Sequence, residues 1–219
     1  MRFQSCLVIP LLVAASAASA ADKAVEDLLS NMRKAYSSIS GATMEVAVRV
    51  NTQQNGWQSG VLKVDYGRPL QIRFKSEVGA NRVERYSNGK KVVTIRNGSK
   101  SSTDKVDVDT VGGQLQGNLE WLCFFDWKRQ LSTEKGANMN ESKLKLDSEE
   151  WNGKKWTVLD EKAENVGVGV RYFIDPKTYL IMRCDVTSLQ LNQLVVKTEV
   201  KAVKLGVKHP ASIFEAPAG

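Results

Sequence analysis

Two periodicities alternate along this chain. From Asp22 to Ser38, Val25, Leu28, Leu29, Met32 and Tyr36 recur at helical spacing with charges between them. That pattern predicts an amphipathic helix whose apolar stripe packs on a sheet. Ile39-Ser40-Gly41 ends it, and the period drops to two. Met44, Val46, Val48 and Val50 share one face while Glu45, Arg49 and Asn51 take the other, as in a half-buried strand. After Asn55-Gly56, the next strand is expected to turn Leu62, Val64 and Tyr66 inward and Lys63 and Asp65 outward. After Gly67-Arg68-Pro69 the same rule puts Leu70, Ile72 and Phe74 inside. Two further strands, 82–86 and 91–96, flank Asn88-Gly89, a strong hairpin signal. Short strands joined by tight turns predict an antiparallel meander.

The pattern then breaks. Residues 100–110 are polar and read as a loop, and Gly112-Gly113 reads as a hinge. Leu115, Leu119, Leu122 and Phe125 return to helical spacing, but Trp121, Cys123, Phe124 and Trp127 make this segment apolar around nearly its whole circumference. A surface helix needs only one apolar stripe, so this one must touch apolar surface on several sides or meet a ligand. The polar stretch 132–142 reads as a long loop. Strands resume after it. Trp151-Asn152-Gly153 turns into a strand over 155–160, and Val170, Tyr172 and Ile174 share a face. Asp175-Pro176-Lys177-Thr178 is a turn with proline in second position. Next, Leu180, Met182, Cys184 and Val186 are expected on one face against Ile181, Arg183 and Asp185. Leu194, Val196, Thr198, Val200 and Ala202 alternate likewise in the last long strand.

The front of the chain changes the picture. Arg2, the apolar run 6–13 and the small residues ending Ala18-Ser19-Ala20 have the three parts of a secretory signal peptide, with cleavage expected after Ala20. The expected product is one domain over 21–219, large enough to bury roughly 70% of its unfolded surface. No cysteine stands directly after the cleavage point, so a soluble periplasmic product is expected rather than a lipid-tethered one. The formal charge is +7, with Lys and Arg spread along the strands. A solvated basic outer face explains this; attraction to anionic membranes or an acidic partner is the functional reading. No nucleic-acid-binding motif is present, and nucleic acid is not an expected partner.

Cys123 and Cys184 both lie among apolar residues. A bridge between them would close a loop of about 60 residues and stabilise by about 4 kcal/mol. Two buried thiols acting as small hydrophobes fit the sequence equally well. With only His209 beside them they form no metal-ligand cluster, and neither metal nor other cofactor is expected. Catalysis is hard to build. His209 sits beside Pro210 in the tail, Glu149-Glu150 would face opposite sides of a strand, and no Gly-x-Ser-x-Gly elbow or Gly-Lys-Ser/Thr phosphate loop occurs. The expectation is a protein that is not an enzyme.

Several pieces, taken in order, resemble the periplasmic outer-membrane lipoprotein carriers of the LolA-like superfamily. They are the leading amphipathic helix, the strand from Gly60 to Asp65 running into Arg68-Pro69, Ser87-Asn88-Gly89-Lys90 before an apolar strand, the Asp175-Pro176-Lys177-Thr178 turn, and the ending with Phe214, Pro217 and Gly219. The likeness is best over 42–98 and 170–219. It implies a mainly β (α+β) fold: an incomplete antiparallel barrel of about eleven strands, with helices covering a concave apolar face. It also implies acyl chains of a lipid or lipoprotein as ligand, membrane-associated donor and acceptor proteins as partners, and a monomer. The family's lid-holding arginine falls on Arg68. The chain departs from the family in Val92, Val93 and Ile95, where aromatics are usual, and in its two cysteines.

A half-closed barrel leads to the same place, because its concave apolar surface must be filled or covered. The expected cavity residues are Met44, Val46, Val48, Leu62, Val64, Ile72, Phe74 and Met182, beneath Trp121, Leu122 and Phe125. The cover is either a permanent plug or a gate that an acyl chain displaces. An envelope sensing module, using the same concavity for a hydrophobic protein or peptide, is the alternative to a carrier.

Overall fold

A computed structural model describes residues 10–52, 54–67, 71–104, 106, 143–163 and 167–217, with the side chains of the first helix described from Lys23 onward. One helix, α1 (Pro10–Ser38), precedes eleven strands: β1 (Ala42–Thr52), β2 (Gly56–Gly67), β3 (Gln71–Val78), β4 (Asn81–Asn88), β5 (Val92–Arg96), β6 (Ser99–Thr103), β7 (Lys143–Trp151), β8 (Lys154–Ala163), β9 (Val168–Ile174), β10 (Ile181–Ser188) and β11 (Gln193–Leu205). All belong to one sheet in the order β6-β5-β4-β3-β2-β1-β11-β10-β9-β8-β7, and every pairing is antiparallel. Two meanders are thus joined side by side through β1 and β11. Among the described residues the end strands β6 and β7 do not pair, so the sheet stays open. This is the incomplete antiparallel barrel that the resemblance implies.

Turn chemistry fixes the register. Asn97-Gly98 and Asn152-Gly153 hold positive φ at both residues, which two-residue hairpins of matching twist require. The first of these pairs makes Ser99–Thr103 a strand, where the sequence reading expects a loop from residue 100. At the β4–β5 turn, the Asn88 carboxamide oxygen accepts from the backbone N–H groups of Lys90 and Lys91, each at 2.8 Å.

Helix α1 begins at Pro10 rather than Asp22, so it runs through the expected cleavage point. Its stripe of Leu28, Leu29, Met32 and Tyr36 is buried in one cluster with the inward residues of the sheet. The Tyr36 hydroxyl accepts the backbone N–H of Ile181 at 3.0 Å. The Ser37 and Ser38 hydroxyls donate back to the Lys34 and Ala35 carbonyls where the helix ends.

Two bulges reset the alternation. On β10, Ile181 pairs with Ile174 and Arg183 with Phe173, leaving Met182 as the extra residue. Ile181, expected outside, is therefore buried in the concave core together with Cys184 and Val186. On β11, Glu45 opposes Ala202 but Val46 opposes Val200, leaving Lys201 extra. Ala202 is exposed in consequence, and Val203 packs on the core in its stead. A period-two reading does not register an inserted residue.

The convex face has its own packing. Trp151, Trp156 and Phe173 cluster there, with ring centroids 5.0 and 5.9 Å from Trp151. The Arg183 guanidinium lies 4.2 Å from the Phe173 centroid and pairs with Asp185. Asp65 points outward as expected yet is only 6% exposed, because Arg73 binds it at 2.6 Å and the Thr43 hydroxyl donates to it at 2.9 Å. The tail folds back through a 3-10 helix, Ala211–Phe214, that meets β3 and β4.

Candidate functional site: the concave face

Cross-strand register shows what lies side by side on the concave face. One row runs Val203, Met44, Val64, Phe74, Arg85, Thr94, Ser101, from β11 through β1 to β6. The next runs Leu62, Ser76, Val83 after Val46 on β1. On the other side of the first row, Tyr66, Ile72, Ser87, Val92 and Thr103 stand opposite one another in turn. The first row is therefore apolar from β11 to β3 and turns polar and cationic from β4 to β6.

Seven expected cavity residues come together here. Met44, Val46, Val48, Leu62, Val64, Ile72 and Phe74 are all buried in one cluster with the α1 stripe. Met182 is half-buried at its bulge, touching both this cluster and the convex aromatic one. Cys184 is fully buried on the concave side, and the Thr198 hydroxyl donates to its carbonyl at 3.4 Å. Cys123, with which a bridge is one of two open readings, lies outside the described residues, as do Trp121, Leu122, Phe125 and Arg68.

Helix α1 covers only a strip. Ten strand spacings of about 4.8 Å make a face about 48 Å across, against a helix about 10 Å wide. The other half of the face carries a polar pair, the Tyr172 hydroxyl donating to Glu161 at 2.9 Å. The expected non-catalytic residues are placed apart from it. His209 Nε2 lies 3.0 Å from the Ala42 carbonyl oxygen and its ring meets Phe214 edge-on, which ties down the tail. Glu149 pairs with Arg171 at 2.9 Å on the convex side.

Sequence reasoning missed Arg85. It occupies an inward position between Val83 and Ser87 and is only 3% exposed. Its Nε donates to the Thr94 hydroxyl at 3.1 Å, while one terminal nitrogen, Nη1, has no hydrogen-bond partner among the described residues. Burial, reinforced by the nearby charge of Arg96, pushes its pKa down to about 10. Alternation through Val83 was the available signal; the charge argued against using it.

No family model matches the sequence, and no curated protein matches it. Solved structures do match. An uncharacterized conserved protein from Thermus thermophilus aligns at 11% identity over 89% of this chain and 94% of its own, with a TM-score of 0.51. MucB, at 14% identity, aligns over 88% of this chain with a TM-score of 0.49, and the chain spans 62% of MucB's length. A LolA superfamily protein from Nitrosomonas europaea aligns at 9% identity over 87% of this chain and 97% of its own, with a TM-score of 0.38. At such identities the likeness is one of fold alone.

Proposed function

We propose that this chain is a periplasmic carrier that holds the acyl chains of a lipid or lipoprotein on its concave face and delivers them toward the outer membrane. The observation that carries this reading is the apolar row that crosses the face from β11 to β3, through Val203, Met44, Val64 and Phe74. Each acyl CH₂ buried there would contribute about 0.8 kcal/mol. The apolar segment around Trp121, Leu122 and Phe125 is the exchangeable cover, and Arg68 holds it in place. Membrane-associated donor and acceptor proteins load and unload a monomer, whose mature form starts at Ala21.

Native mass spectrometry of protein recovered from its own periplasm tests this reading. A mass increment that organic extraction releases as acyl lipid or lipopeptide is expected. In solution, a lipopeptide should shift tryptophan emission, and Trp121→Ala should weaken its binding with far-UV circular dichroism unchanged. A protein that carries hydrophobic peptide and ignores acylated ligands would be a sensing module instead.

A further inference from the structure

Arg85 is a charged group kept in a place that charges avoid. A buried guanidinium normally pairs with a carboxylate or has all its donors satisfied. Here neither condition holds among the described residues: Thr94 takes Nε, and Nη1 is left without a partner. Arg85 also lines a recess of about 290 Å³ between β4, β5 and β6, shared with Arg96, Thr94, Ser101, Thr103 and Val92. No carboxylate is among its described lining residues. Two guanidinium groups thus converge with the hydroxyls of Thr94, Ser101 and Thr103, and no counter-charge lies between them among the described residues.

We propose that this recess is an oxyanion site, built for the phosphate or other anionic headgroup of an amphiphile. A tetrahedral oxyanion supplies the acceptors that Arg85 lacks, and a second guanidinium at Arg96 can share its charge. Thr94 and Ser101 stand opposite each other in register, as do Val92 and Thr103, so the hydroxyl donors come from neighbouring strands. Placement suggests the rest of the ligand. Arg85 stands directly opposite Phe74, and the row continues through Val64 and Met44. An amphiphile lying across the strands would put its head on β4–β6 and its tail on β3–β11. The headgroup assignment rests on the carrier reading; the oxyanion site does not.

Calorimetry on the full mature chain separates the two, with inorganic phosphate, dodecyl phosphate and dodecanol as probes. Dodecyl phosphate should bind about ten- to a hundredfold more tightly than dodecanol. Arg85→Met should remove that preference and leave dodecanol binding as it was, and Arg96→Gln should reduce it in part. Equal binding of dodecanol and dodecyl phosphate by the wild type overturns the site and leaves the carrier reading standing. Phosphate binding that depends on Arg85, with no gain from the dodecyl chain, identifies a free anion as ligand, keeps the site and sinks the carrier reading. Should Arg85→Met fail to fold, the surface-exposed Arg96 decides: an Arg96→Gln variant with the full wild-type preference overturns the proposal.

Discussion

Arg85 should destabilise the empty protein, and the effect can be measured. Replacing it with Met keeps a long unbranched side chain against Phe74 and Val92 while removing the charge. Folding lowers the Arg85 pKa from the usual guanidinium range to about 10, chiefly through burial. At about 1.4 kcal/mol per pKa unit, the charged form is disfavoured by about 3 kcal/mol. The variant forfeits the bond to Thr94, a loss of about 1 kcal/mol. Arg85→Met should therefore be more stable by about 2 kcal/mol, which for a chain of this size raises Tm by about 4–8 °C. Urea unfolding at neutral pH, on delipidated protein in a phosphate-free buffer, measures it. The pH dependence is a second check. Because the folded pKa lies below the unfolded one, the penalty is complete at every pH below the folded value and fades only above about 10. The gap between variant and wild type should stay flat from about pH 5 to 9. Adding phosphate should close it by stabilising the wild type alone. An Arg85→Met variant less stable than the wild type, with an unchanged denaturant slope, would refute the reasoning, since the guanidinium would then be contributing favourable packing or bonding that outweighs its burial.

Tyr36→Phe removes the acceptor for the buried Ile181 N–H, and chemical unfolding should show a loss of about 1–3 kcal/mol. Asp175→Ala should cost about 2 kcal/mol at neutral pH, because the carboxylate is bound by Lys154 at 2.7 Å and by the backbone N–H groups of Lys177 and Thr178. Burial works to raise the Asp175 pKa, but those three partners outweigh it and hold the value below the usual 3.8. Its contribution is thus complete above that pH and is lost as pH falls through the folded value, so acid titration should narrow the gap between wild type and Asp175→Ala.

The sheet was legible where sequence and geometry share one rule. Alternation assigns Met44, Val46, Leu62, Val64, Ile72 and Phe74 to one face because successive side chains on a strand point to opposite sides. Asn-Gly pairs announce their hairpins, and Asn97-Gly98 would have announced β6 had its polar partner strand not hidden it. Ser99–Thr103 is an edge strand with exposed residues, so it needs no apolar face to be a strand. Bulges were not legible: Met182 and Lys201 look like any other residue in an alternating run. Arg85 was missed for another reason. Composition places charges outside, and only its register with Phe74 and Thr94 shows it inside. The expectations for Arg68 and for the apolar segment around Trp121 concern residues outside the described ones.

The seam between β1 and β11 has a consequence for biogenesis. Synthesis proceeds from the N-terminus, so β1 to β6 can zip together hairpin by hairpin as they appear. The outer edge of β1, however, waits for a strand that begins at Gln193. Until that strand has been made, Ala42–Thr52 offers unpaired backbone groups beside Met44, Val46 and Val48, a template for pairing with another nascent copy. A message truncated before β11 would therefore yield not a shorter version of the fold but an adhesive fragment, so quality control would have to remove it.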